Sequence, residues 1–157
     1  MFIHRLFRYG WIAALLLSAC APGVQMQDAP QVEPSPAGDW TVKLTQSGGF
    51  AGVMLTVQVS SDGKLTAENQ RTRRSVTQTL PPETVAQIKP QVARVLQVTP
   101  AVPHSGCADC FLYRLELTSG DGSTRVEADD MTLADSGIAD VVRLLQQLRD
   151  RALGTNP

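Results

Sequence analysis

The chain predicts an α+β domain, an antiparallel sheet of four to five strands with two helices packed on one face. Three observations carry this. Apolar residues alternate with polar ones in several short runs, the signature of strands with one buried face. Most of those runs are joined by short Gly- and Asp-containing turns, so neighbouring strands run antiparallel. Two longer segments switch to helical spacing, and an antiparallel sheet with one apolar face needs such stripes to cover it.

The elements follow in order. Asp39–Gln46 alternates Trp40, Val42 and Leu44 and reads as the first strand. Ser47-Gly-Gly-Phe-Ala-Gly52 follows, with Gly48, Gly49 and Gly52 demanding unusual backbone angles or close backbone approach. Val53–Val59 alternates again and completes a hairpin. Ser61-Asp-Gly-Lys64 is a turn, and Lys64–Glu68 a weaker, edge-like strand. Residues 69–80 are polar and basic and read as a loop or the frayed end of that strand. Leu80-Pro-Pro-Glu83 opens a helix with Pro in its first turn, where the missing N–H costs nothing. Val85, Ile88, Val92 and Val95 or Leu96 share its face, and Pro90 should kink or split it. Residues 99–110 form a loop. Phe111–Leu117 and Ser123–Ala128 flank the turn Ser119-Gly-Asp-Gly122 as a second hairpin. Leu133–Leu153 is a helix with Ile138, Val141, Val142, Leu145 and Leu148 inward and Arg143, Arg149 and Arg151 toward water.

The N-terminus has a different character. His4, Arg5 and Arg8 precede the apolar run Trp11–Leu17, then the small pair Ser18-Ala19 and Cys20. A basic head, a short apolar stretch and small residues at the cut describe an export leader, too short to span a bilayer permanently. Leu17-Ser-Ala-Cys20 resembles a bacterial lipobox, which implies cleavage before Cys20 and acyl chains, palmitate among them, at that residue. Two or more chains anchor a protein stably without a spanning helix. Ala21 in place of Asp is similar to the signal that sorts lipoproteins to the outer membrane, facing the periplasm. Residues 21–37 hold four prolines and few large apolar groups, so they read as a semi-extended tether. The expected organisation is therefore a leader over 1–19, the lipidated Cys20 and tether over 20–37, one domain over 38–153 and a short tail over 154–157.

With the leader's Arg5 and Arg8 set aside, 12 basic and 15 acidic side chains remain, a net charge of −3. That argues against nucleic acid as a partner. The one basic cluster, Arg71, Arg73 and Arg74, reads as a solvated loop or a contact. Past the leader, the chain carries a single histidine, His104, and no Gly-x-Ser-x-Gly elbow, so hydrolase chemistry finds no support. His104, Cys107 and Cys110 offer three metal-type ligands where a structural zinc site uses four. In an oxidising compartment, with Cys20 taken by lipid, a Cys107–Cys110 disulfide is the better reading. Its Cys-x-x-Cys form also spells a redox motif, but Asp109 beside it would raise a thiol pKa. No enzyme activity, cofactor or metal is expected.

Ser47-Gly-Gly-Phe-Ala-Gly52 before a strand, Leu80-Pro81 opening a helix, Asp109 ahead of Tyr113–Leu117, Asp129-Asp130 after the hairpin and a Leu-rich last helix together resemble the emfourins, small inhibitors of thermolysin-like metalloproteases. The likeness spans about residues 40–149. It implies a cofactor-free inhibitor that plugs a protease cleft with a loop, and it implies that the stretch from Glu68 to Leu80 supplies that loop. The leader, anchor, tether and cysteine pair depart from the family's pattern, as do Arg71, Arg73 and Arg74 where a thermolysin-like cleft favours a bulky apolar group; Val76 and Leu80 meet that preference. Phe50 has two readings, an exposed anchor for a partner or a plug folded back into the sheet end, which flanking glycines allow. The competing function is an envelope module that binds another protein or the wall through the same scaffold.

Overall fold

A computed structural model describes residues 36, 38–99 and 105–155. The leader, Cys20, most of the tether and His104 lie outside these residues. The elements are β1 (Thr41–Gly48), β2 (Val53–Ser60), β3 (Lys64–Asn69), β4 (Arg74–Thr79), α1 (Pro82–Val95), β5 (Phe111–Ser119), β6 (Gly122–Asp129), a single 3₁₀ turn (Leu133–Asp135) and α2 (Ala139–Leu153). The sheet order is β4-β3-β2-β1-β5-β6, antiparallel at every pair. Four strands meander to one edge, α1 carries the chain back, and β5 docks on the free side of β1. The fold class is the one expected, with six strands instead of four to five.

The extra strand is β4, in the stretch 69–80 that reads as a loop. Its sequence RSVTQT has one large apolar residue and shows almost no burial alternation. Strand character comes from the ladder to β3, in which Lys64 pairs Thr79 and Asn69 pairs Arg74. An edge strand needs little apolar patterning, because only one side pairs and both faces can stay polar.

The alternation of each strand sets the core. Val42 and Leu44 of β1 lie opposite Val59 and Val57 of β2 and Leu117 and Leu115 of β5, and all six are buried. Leu65, Ala67, Val126 and Ala128 extend this face to β3 and β6. Ile88, Val92 and Val95 from α1, Ile138 just before α2, and Val142, Leu145 and Leu153 from α2 close over it. A fully buried aliphatic side chain of this kind contributes roughly 1.5–3 kcal/mol, so this layer dominates stability. The other face of the sheet carries Lys43, Thr45, Thr56, Gln58 and Thr66 and stays in contact with water.

Two local expectations change and a third narrows. Pro90 lies inside one continuous α1, so the helix is not split there. Ile88 and Val92 pin the turns on both sides to the core, which offsets the lost backbone bond. The last helix begins at Ala139, not Leu133, because Gly137 takes φ +74° and breaks the chain direction after the 3₁₀ turn. Arg149 does not face water. It is 4% exposed and points inward. Among the described residues no helix is long and apolar enough to cross a membrane.

Candidate functional site

One end of the sheet gathers most of the residues singled out in the sequence. The antiparallel order brings together the β1–β2 turn, the β3–β4 turn, the entry to β5 and the exit from β6. Phe50 sits at the tip of the first turn and is 99% exposed. It points outward and does not plug the sheet end. Among the described residues the other exposed large apolar side chains are Met54, second in β2, and Met131, just past β6, and both lie at this same end.

The tip is held from below. Gly49 N–H donates to the Cys110 carbonyl at 3.2 Å, and Gly52 N–H closes the turn onto the Gly49 carbonyl at 3.0 Å. Gly48 has φ +97°, and a Cβ there would stand 2.7 Å from the Cys110 carbonyl oxygen. Gly49 has φ +69°, and its Cβ would meet the Phe111 ring at 2.7 Å. These two glycines are needed both for their backbone angles and for close approach. Two flanking glycines therefore do not fold Phe50 inward. They let β5 press against the hairpin while the aromatic residue stays outside.

Cys107 and Cys110 are bridged, with Cα atoms 5.5 Å apart. The bridge closes a loop of sequence separation 3, so it shapes the turn that offers the Cys110 carbonyl to Gly49 more than it restricts the unfolded chain. The same loop is moored to the β6 exit. Ser105 N–H and hydroxyl donate to Asp129 Oδ2 at 2.7 and 2.6 Å. Met131 N–H, Thr132 N–H and the Thr132 hydroxyl donate to Asp129 Oδ1, each at 3.0 Å. Asp129 is buried, and the Ser105 hydroxyl bond foremost holds its carboxyl well below the usual range against the cost of burial. Asp130 accepts the Phe111 N–H at 2.7 Å and the Tyr113 hydroxyl at 2.8 Å. Burial, then the Asp130 carboxylate, push the Tyr113 hydroxyl up to about 12, so it remains a proton donor at neutral pH.

Beneath the tip lies a polar cluster that sequence reading missed. Gln46 Oε1 accepts from Arg149 Nη1 at 2.7 Å and from Gln146 Nε2 at 3.1 Å. Arg149 Nε donates to Asp150 Oδ1 at 2.8 Å. The cluster ties the last turns of α2 to the end of β1, two residues before Gly48. A signal for it does exist in the sequence: Ile138, Val142, Leu145 and Arg149 follow the 4-3-4 spacing of one helix face.

The structure separates the other expected contact residues. Arg71 and Arg73 lie in the β3–β4 turn and Arg74 starts β4; all three are exposed at the Phe50 end. Val76 pairs Ala67 and packs against the core. Leu80 is 6% exposed at the opposite end, where its N–H donates to the Gly63 carbonyl at 2.8 Å. Val76 and Leu80 thus serve packing, while the rest of β4 is an exposed edge strand and the β3–β4 turn of the same stretch reaches the Phe50 end. Elsewhere, Arg114 and Arg125 of the open face both donate to Glu127 Oε1 at 2.6 Å; Arg114 foremost holds that carboxyl down to about 2. The arrangement offers an apolar tip on a braced hairpin, suited to entering a partner's pocket. No family model matches the chain, and no curated protein matches it.

Proposed function

We propose that this chain is a lipid-anchored, non-enzymatic protein of the cell envelope, placed by acyl chains on Cys20 at the outer membrane facing the periplasm, and that it inhibits a thermolysin-like metalloprotease by inserting Phe50 into the cleft. The observation that carries the reading is the full exposure of Phe50 on a turn braced by the Cys107–Cys110 loop. A fully exposed phenylalanine presents its whole ring to a partner, and a braced hairpin loses little entropy on binding. Thermolysin-like clefts take a bulky apolar side chain, and Phe50 supplies one where Arg71, Arg73 and Arg74 do not. The lipobox-like N-terminus and the likeness to emfourins support compartment and target class.

The test is inhibition of a panel of thermolysin-like metalloproteases by the purified chain, with Phe50→Ala alongside. Truncating a central aromatic anchor typically costs 2 kcal/mol or more, so inhibition should weaken about 30-fold or more. The variant should unfold within about 0.5 kcal/mol of the parent, because the side chain touches nothing. Radiolabelled palmitate should attach to the parent and not to Cys20→Ser. If no member of the panel is inhibited, the inhibitor reading is withdrawn.

A second reading, an envelope module that docks on another protein, draws on Met54 and Met131. Together with Phe50 they add apolar surface at more than one point of the same sheet end, which suits a broad interface as well as a cleft. Cross-linking from Met131 to a non-protease partner, with no protease inhibited, would favour it.

A further inference from the structure

The end that carries Phe50 is polarised. Strand order sets the β3–β4 turn on one side of the tip and the entry to β5 with the exit from β6 on the other. On the first side stand Arg71, Arg73 and Arg74, with Arg151 in the last turn of α2 nearby; a Cβ on Gly154, at the α2 terminus, would lie 3.7 Å from Arg74 Nη2. On the other side stand Asp109, Asp129 and Asp130. The two flanks are not equivalent. Asp129 is saturated by hydrogen bonds from its own loop, and Asp130 receives two. Arg71 and Arg73 are exposed and form no ion pair with any described carboxylate.

The basic turn is also a defined structure. Gln70 N–H donates to the Met54 carbonyl at 3.1 Å, which fastens the turn to the strand that leaves the Phe50 tip. Thr72 N–H donates to Asn69 Oδ1 at 3.1 Å, and Arg73 N–H to the Gln70 carbonyl at 3.3 Å. Arg73 is the sole described non-glycine residue with positive φ, at +54°. Glycine or asparagine would hold that angle with less strain, so an arginine there points to use of the charge.

We infer that this turn is a steering element of the Phe50 site, and that the surface it meets is a protein pocket for an aromatic side chain with an acidic rim on the side of Arg71 and Arg73. The inference rests on the inhibitor reading and names the charge its target must carry. An anionic membrane is the less fitting occupant, since Asp109 and Asp130 would be pressed against headgroups on the far side of the same tip. Rim charges of this kind act on association rate and on salt dependence, while a buried aromatic anchor acts on dissociation.

The experiment uses the full lipidated chain in detergent micelles and, as probe, the panel metalloprotease that binds it most tightly. Binding kinetics are followed from low to physiological salt and above. Arg71→Glu/Arg73→Glu should slow association roughly 10-fold at low salt, with the gap closing as salt rises, and should change dissociation much less. Arg73→Gly, which keeps the backbone angle and removes one charge, should slow association by a smaller factor and leave unfolding unchanged or slightly improved. Phe50→Ala should speed dissociation and leave association nearly intact. Equal association rates and salt slopes for parent and charge variants would overturn the steering element while leaving the inhibitor reading in place. Binding lost equally in Phe50→Ala and charge variants through dissociation would overturn it too. Charge-dependent binding to phosphatidylglycerol vesicles by a Cys20→Ser chain, with no charge effect on the protease, would reassign the turn to lipid. Absence of any protease binding would remove both readings.

Discussion

Alanine at two glycines of one turn should have unequal costs, and the difference measures how firmly the Phe50 hairpin is braced. Gly48 and Gly52 both have positive φ, +97° and +58°. An L-residue in that region costs about 1–2 kcal/mol. Alanine also narrows the unfolded ensemble, which offsets about 0.4–1 kcal/mol of this. For Gly52 nothing lies within 4 Å of the new Cβ, so Gly52→Ala should lose about 0.5–1 kcal/mol in all. For Gly48 the new Cβ stands 2.7 Å from the Cys110 carbonyl oxygen, and that oxygen must retreat. It accepts the Gly49 N–H at 3.2 Å, a bond worth about 1 kcal/mol. It also belongs to a bridged loop moored to Asp129, which resists the shift. Gly48→Ala should therefore lose about 2–3 kcal/mol. Equilibrium urea unfolding of both variants, analysed at constant m-value, reads the difference. If the two lose the same stability, the Cys110 loop does not brace the tip, and the rigidity argued for Phe50 falls with it.

Two more outcomes follow from the same contacts. Glu127 is held down by Arg114 and Arg125, so the stability it adds is present above the unfolded carboxylate range, near 4.5, and fades as pH falls toward about 2. Its partners are well exposed, so Glu127→Gln should lose only about 0.5–1 kcal/mol at neutral pH, and chemical unfolding as a function of pH should show the gap closing in acid. Leu80→Ala should cost about 2–4 kcal/mol in the same unfolding assay yet leave protease affinity of the folded chain unchanged, as suits a core residue remote from the tip; a selective loss of affinity would return Leu80 to the contact surface.

Local chemistry determined a good deal of this protein. Period-two runs such as Trp40–Leu44 and Phe111–Leu117 fold as strands because only one face of each can be wetted, and Ser61–Lys64 turns because Gly63 takes φ +86° without strain. The α+β class, the two helices and the inward faces of most elements follow from such patterns. Pairing partners do not. β4 is a strand because β3 offers it a ladder, which no alternation in RSVTQT announces. Arg149 is buried because Gln46, far away in sequence, faces it across the end of β1, and a guanidinium can enter a core only where such an acceptor waits. Phe50 is outside for the same kind of reason: the space beneath Gly48 and Gly49 is already filled by the Cys110 carbonyl and the Phe111 ring. Spacing along the chain tells which side chains prefer to leave water. Which of them find room, and which are left standing at the tip, depends on what the sheet order brings beside them.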